Sequence, residues 1–285
     1  MKLIQTIHEL RVALAVLRKE GKTIGLVPTM GALHDGHASL VKRAVAENDV
    51  VVVSDFVNPT QFNDKNDLLK YPRTLDADCA LLEACGADFV FAPSVEEIYP
   101  EPDTRQFSYA PLDTVMEGKY RPGHFNGVCQ IVSKLFLIVE PTRAYFGEKD
   151  FQQLAIIREM VRKYPFDLEI VGCPIVREAD GLALSSRNAR LSAEQRVQAL
   201  KISKTLFDSV EYGKTHTLAE TKQFVEAAIA EAEGLELEYF EVVDGNTLQT
   251  VTNWEDSHYI VGCITVFCGE VRLICLLYTS DAADE

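Results

Sequence analysis

The chain has 285 residues, 47% of them hydrophobic and 25% charged, enough for a buried core in one large domain or two smaller ones. Asp and Glu total 43 against 28 Lys and Arg, a formal charge of −15, which excludes the basic surface that a nucleic-acid partner requires but leaves room for a nucleotide, since a phosphate needs only a few local cations and oriented N–H groups. No apolar run approaches the roughly 20 residues that span a bilayer, no secretory leader precedes the first amphipathic segment, and seven scattered cysteines without a CxxC pair read as reduced thiols rather than a disulfide framework or a zinc site. A cytoplasmic protein with no membrane and no nucleic-acid partner is expected.

The predicted elements alternate through the first half. Thr6 and Glu9 form a capping box, and Ile7, Leu10, Leu14 and Leu17 follow at helical spacing until Gly21. Residues 23–27 read as a short buried strand and 38–46 as a helix. The β-branched run 49–53 has the composition of a strand covered on both faces. A helix over 75–84 stops at Gly86, and 88–91 follows as a strand. Residues 128–139, 143–146, 151–163 and 168–172 continue as helix, strand, helix, strand. Helices between consecutive strands imply right-handed crossovers and a parallel sheet, whose ligands bind beyond the carboxyl ends of the strands. Composition changes near residue 175. Capping boxes at Ser192/Gln195 and Thr217/Glu220 open two helices, and 238–243, 259–267 and 271–277 read as strands, the last two joined across Gly269-Glu270.

Four clusters carry chemistry. Pro28-Thr-Met-Gly-Ala-Leu-His34-Asp-Gly-His37 lies between a strand and a helix, where two histidines and free helix N–H groups could grip a polyphosphate; the bland alternative is a capping loop with incidental histidines. Ser54-Asp-Phe-Val-Asn58-Pro-Thr-Gln61-Phe62 ends the most apolar strand, and its two amides suit hydroxyl and carboxylate groups, unless it is only a polar turn around Pro59. Phe146-Gly-Glu-Lys149-Asp150-Phe-Gln152-Gln153 puts a cation at a helix start, with Gln153 on the same face. Leu184-Ser185-Ser186-Arg187-Asn188 places two hydroxyls beside a guanidinium, a phosphate clamp or a solvated loop.

An HxGH loop followed by a Ser-Ser-Arg loop resembles the nucleotidyltransferase superfamily. With Tyr71-Pro-Arg-Thr74, Arg121-Pro-Gly-His-Phe125 and the run from Val176 to Asn188 in the same order, the chain is similar to the pantothenate synthetases (pantoate–β-alanine ligases) over most of residues 1–245. The resemblance implies a Rossmann-like parallel sheet flanked by helices over 1–175 and a smaller α+β lid domain over 176–285. It implies that Met30, Gly31, Ala32, Leu33, His34, Asp35, Gly36 and His37 hold ATP together with Gly147, Glu148, Lys149, Asp150, Val176, Leu184, Ser185, Ser186 and Arg187. Asn58, Gln61 and Gln153 would hold pantoate, with Gln61 also on β-alanine. His34, His37, Lys149 and Arg187 would be catalytic, His37 in the position of the proton donor. ATP would arrive with Mg2+ and no protein metal site, and the chain would be a homodimer.

Two departures from the family pattern stand out. Asp55 occupies a position that is usually apolar; turned inward, its carboxylate would be costly unless it took up a proton. Residues 275–285 do not resemble the family's ending and read as a foreign tail without function. A nucleotide-transferring relative, or a nucleotide-binding protein disabled at Asp55 or in the tail, remains an alternative on the residues alone.

Overall fold

The computed structural model describes residues 1–278. The chain divides into two compact units, one spanning Met1–Pro174 and one starting at Ile175.

The first unit begins with a strand that the sequence pattern did not reveal, β1 (Lys2–Ile4), three residues too short to show a periodicity. Helix α1 (Ile7–Lys19) follows, capped by Thr6 Oγ1, which accepts from the Glu9 N–H at 3.3 Å. The other half of the expected box does not form, because the Glu9 carboxylate pairs with Lys2 at 2.9 Å. Then come β2 (Ile24–Thr29), α2 (Asp35–Glu47), β3 (Val50–Asp55), α3 (Lys65–Lys70), α4 (Leu75–Cys85), β4 (Phe89–Phe91), α5 (Val95–Ile98), α6 (Met116–Tyr120), α7 (His124–Val139), β5 (Arg143–Gly147), α8 (Phe151–Lys163) and β6 (Glu169–Cys173). Among the described residues the strands form one six-stranded parallel sheet in the order β1-β4-β3-β2-β5-β6. The chain steps outward from β2 to β3 and β4, then returns to the other side of β2 with β5. That reversal between β2 and β5 is the place where such sheets leave a crevice at their carboxyl edge.

Period-2 alternation builds both faces. Ile24 and Leu26 of β2, with Val50 and Val52 of β3, join a core with Leu10, Leu14, Phe136 and Ile157. Val27, Val51 and Val53 point the other way, onto Val41, Leu82 and Tyr145. Two helices start earlier than their apolar pattern suggests. Helix α2 begins at Asp35 because a histidine rather than a Ser, Thr, Asp or Asn caps it. Helix α7 begins at His124, its N-cap being Gly123 in the left-handed region (φ 82°). The short α3, α5 and α6 carry too few turns for a helical stripe.

The second unit contains α9 (Ala193–Gly213), α10 (Leu218–Ala230), β7 (Leu235–Asp244), β8 (Ile260–Cys268) and β9 (Val271–Tyr278). Both expected capping boxes form, at Ser192/Gln195 and Thr217/Glu220. The antiparallel sheet β7-β8-β9 buries Phe240, Ile264 and Leu273 against Ile202, Leu206 and Val225 of the helices. The atypical tail expected from residue 275 begins inside this paired strand, where Cys275 lies opposite Ile264 and Leu277 opposite Gly262. Its residues 279–285 lie outside the described part.

Candidate active site

Beyond β2 the backbone turns sharply. Gly31 and Ala32 both have positive φ, 74° and 51°. For alanine that region costs about 1–2 kcal/mol, so something must hold it. Asp78 of α4 does so: its carboxylate accepts from the Ala32 N–H at 2.9 Å, the Leu33 N–H at 2.7 Å and the Thr74 hydroxyl at 3.0 Å. Asp78 is only 2% exposed, and hydrogen bonds to a charged acceptor contribute roughly 1.5–3 kcal/mol each, sufficient to offset the strain.

The two histidines then cap the helix that follows. His34 Nδ1 accepts from the Gly36 N–H at 3.1 Å, and His37 Nδ1 accepts from the His34 N–H at 3.3 Å. An accepting Nδ1 is unprotonated, so a neutral His37 carries its hydrogen on Nε2. The rings lie 4.1 Å apart between centroids. Burial first, then His34 and Lys149, push the His37 pKa down to about 3. Capping, the bland reading of this motif, is therefore real. It also fixes the tautomer and leaves Nε2–H as a donor in a neighbourhood of positive charge.

Beyond β3, a single 3-10 turn (Pro59–Gln61) brings the amides together. Asn58 is 1% exposed. Its Nδ2 donates to Gln61 Oε1 at 3.0 Å and to the Gly127 carbonyl at 3.1 Å, while its Oδ1 accepts from Tyr99 Oη at 2.8 Å and Thr60 Oγ1 at 3.2 Å. With that capacity filled, Asn58 orients Gln61, whose Nε2 faces Met30 Sδ at 3.2 Å. The sequence assigned both amides to one ligand, whereas the geometry gives them different tasks.

After β5, Gly147 leads into a 3-10 turn (Glu148–Asp150) that carries Lys149, 4.0 Å from Asp150. The adjacent glutamines separate in the same way as the amides. Gln152 is buried, donating to the Leu112 and Val115 carbonyls at 2.7 and 2.8 Å and accepting from the Glu117 N–H at 3.0 Å. Gln153 is half-buried at the third position of α8.

In the second unit, residues 176–188 fold back on themselves. The Leu184 N–H donates to the Val176 carbonyl at 3.0 Å, and Arg177 bridges to Ala183. Ser185 Oγ accepts from the Arg187 N–H at 3.3 Å at the start of a 3-10 turn (Ser186–Arg190). Arg196 holds Glu178 and Asp180, each at 2.7 Å.

Sequence reasoning missed Asp78, Thr74, His124, Arg121 and Tyr99. Thr74, Arg121 and His124 lie in short motifs that signal the resemblance, but His124 acts on the Gln61 carbonyl, 63 positions away, and Arg121 on Asn63, 58 positions away, contacts that spacing does not reveal, while Thr74 acts on Asp78, itself not singled out. Asp55 does point inward. Its Oδ2 is buried and accepts no hydrogen bond, and its pKa is pushed up to about 7 by burial first and then by Asp78.

A parallel sheet that gathers the loops after β2, β3 and β5 at the carboxyl ends of its central strands puts the chain among the α/β enzymes. Residues 2–277 match the family model for pantoate-beta-alanine ligase, and the chain belongs to that family of ligases. It is 81% identical to the pantothenate synthetase of Phocaeicola vulgatus, over 96% of this chain and 98% of the relative. Among solved structures it resembles pantothenate synthetase from Thermus thermophilus (TM-score 0.91, 45% identity, 97% of this chain and 99% of that one). It also resembles a pantoate-beta-alanine ligase from Francisella tularensis complexed with beta-gamma ATP and beta-alanine (TM-score 0.81, 36% identity, 97% of each chain).

Proposed function

We propose that the chain condenses pantoate with β-alanine at the expense of MgATP, through a pantoyl-adenylate. A pantoate carboxylate oxygen attacks the α-phosphorus, and the bond to the β-phosphate breaks to release pyrophosphate. The β-alanine amine then attacks the acyl carbon, AMP leaves with the electron pair of the acyl–oxygen bond, and the amine loses a proton. Adenylation supplies the leaving group, so the protein's work is positioning and electrostatic stabilisation.

The observation that carries this reading is the grouping of His34 and His37, at the start of α2, with Lys149 of the turn after the neighbouring strand β5, an electrostatic setting complementary to a polyphosphate. In it, the backbone of residues 30–37 follows the phosphates, and His37 donates a hydrogen bond from Nε2. The incoming negative charge raises the basicity of His37, so a protonated imidazole belongs to the nucleotide complex and not to the free protein. Lys149 neutralises charge on the transferring phosphate. Gly147, Glu148, Asp150, Val176, Leu184, Ser185, Ser186 and Arg187 complete the nucleotide contacts on the strength of the family resemblance, with Arg187 catalytic. Gln61, oriented by Asn58, and Gln153 take pantoate, and Gln61 also takes β-alanine. The relative solved with beta-gamma ATP and beta-alanine supports the choice of nucleotide and amine. Magnesium enters with the nucleotide as part of the substrate. On the same resemblance the protein is a cytoplasmic homodimer.

The test is pyrophosphate release from MgATP with pantoate, with and without β-alanine. Stoichiometric release with pantoate alone, becoming continuous with AMP formation once β-alanine is added, is the expected result. Folded protein that releases none with pantoate would overturn the reading.

A further inference from the structure

Two carboxyls bracket Gly31. A Cβ built there would lie 2.4 Å from Asp55 Oδ1 and 3.2 Å from Asp78 Oδ2. Asp55 reaches this point because it ends β3 directly opposite Thr29, the last residue of β2. Asp78 reaches it from the first turn of α4, and it is the better satisfied of the two, with three donors already on its oxygens. Asp55 Oδ1 and Asp78 Oδ2 close on the same point from either side, and the other Asp55 oxygen is buried and accepts from nothing. Two carboxylates this close, one of them with a buried oxygen that no donor reaches, repel each other unless one takes up a proton, so the arrangement calls for one. The partner with three donors remains the anion, and Asp55 carries the hydrogen. Asp78 is the one charged group that acts on Asp55 among the described residues, and it keeps the Asp55 proton bound up to about pH 7 together with burial, the larger cause. The other titratable groups near the pair on α4 are Asp76, Cys79 and Glu83; the Cys79 thiol is raised by burial first, then by Asp55, Asp76, Asp78 and Glu83. On α2, His37 responds to burial, His34 and Lys149 rather than to this pair.

We propose that Asp78 is a positioning residue for the nucleotide loop, acting through the Ala32 and Leu33 amides, and that Asp55 reinforces it through a shared proton, so that loss of that proton weakens nucleotide binding. This rests on the reading of residues 30–37 as the nucleotide loop. When Asp55 ionises, two negative charges face each other across Gly31, and the strained Gly31-Ala32 turn loses the geometry that presents its amides.

The experiment is calorimetric binding of the β,γ-methylene analogue of MgATP between pH 6 and 8.5, for the wild type, Asp55→Asn and Asp78→Asn. The wild-type Kd should rise roughly three- to tenfold above pH 7 relative to Asp55→Asn, whose amide donates to Asp78 at every pH. Comparing the two profiles cancels the titration of the nucleotide and of His37. Asp78→Asn should bind more weakly at all pH values, with the KM for ATP raised more than the KM for pantoate. Superimposed wild-type and Asp55→Asn profiles would overturn the proposal while leaving the nucleotide site standing. Absence of binding by folded wild-type protein at every pH would instead bring down the site reading and this inference with it. Should Asp78→Asn fail to fold, carbon-13 carboxyl NMR decides independently. A resonance titrating near 7 in the wild type and missing from Asp55→Asn supports the shared proton, and its absence from the wild type overturns it.

Discussion

His124 Nδ1 lies 2.8 Å from the backbone carbonyl of Gln61. A carbonyl only accepts, so Nδ1 carries the hydrogen, and Nε2 is left to accept from Arg121 Nη1 at 3.1 Å. Burial first, and Arg121 next, push the His124 pKa down to about 3, so the ring is neutral and its two hydrogen bonds are directional. His124 thus fixes the backbone of the residue whose side chain Asn58 fixes.

Replacing this ring should therefore affect one substrate selectively. For His124→Leu we expect a KM for pantoate raised roughly tenfold or more, with the KM for ATP nearly unchanged, because one buried hydrogen bond to a positioning backbone is lost. Steady-state kinetics with each substrate varied in turn checks it, and equal effects on both KM values would contradict it.

The same turn is sensitive to bulk. A Cβ at Gly127 would lie 2.3 Å from the Thr60 carbonyl oxygen and 2.6 Å from Gln61 Cα, and both are backbone that cannot swing aside. Gly127→Ala should cost about 1–3 kcal/mol as α7 and the 59–61 turn move apart, and it should raise the KM for pantoate even where the protein remains folded. Thermal melting paired with kinetics measures both effects.

Lys149 is three-quarters or more covered, its side chain 18% exposed, and its nearest carboxylate, Asp150, is 4.0 Å away. Lys149→Ala removes the positive charge proposed to act on the transferring phosphate without opening a core. Pantoate-dependent pyrophosphate release should fall roughly 10²–10³-fold with a circular-dichroism melt close to wild type. Near-normal release would remove Lys149 from the chemistry.

Stability should depend on pH through opposite contributions. His37 and His124 have folded pKa values near 3 against 6.5 for a free imidazole. Their contribution is fully present above 6.5 and is lost as pH falls from there towards 3. Asp55 is raised from 3.8 to about 7, so its contribution is fully present below 3.8 and is lost as pH rises towards 7. Asp55→Asn should consequently raise the melting temperature more at pH 8 than at pH 5, whereas His124→Gln should flatten the decline between pH 6.5 and 5. A gain from Asp55→Asn that is equal at both pH values would show that its carboxyl is ionised throughout.

The parallel sheet was legible because Val50 to Val53 and their neighbours alternate between two apolar faces, and because Gly21 and Gly86 end the helices they follow. Both are local signals. The loops that bear His34, Gln61 and Lys149 were legible for the same reason, since each follows a recognisable strand. What lay hidden was support from a distance. Asp78 holds amides 45 and 46 positions earlier, and His124 holds a carbonyl 63 positions away. From sequence, Asp78 is one more acid in the first turn of a helix. The sequence raised an inward Asp55 only as a condition, and neither its orientation nor its neighbour Asp78 could be read from the strand.

The pairing of β2 with β5 also bears on the order in which the molecule assembles. It aligns Gly25 with Arg143 and Leu26 with Ala144, and the Ile24 N–H reaches Thr142 Oγ1 across 118 positions of chain. β2 and β3, by contrast, pair across a single helix. Closing the longer loop carries the larger entropic cost, and contacts of that span form late in parallel sheets. The helix start bearing His34 and His37 belongs to the part of the chain before this closure, and Lys149 to the part after it. They meet only when β5 docks beside β2, so during synthesis the surface that joins the two histidines to the lysine is created by the closing of the sheet, after more than half of the chain has been made.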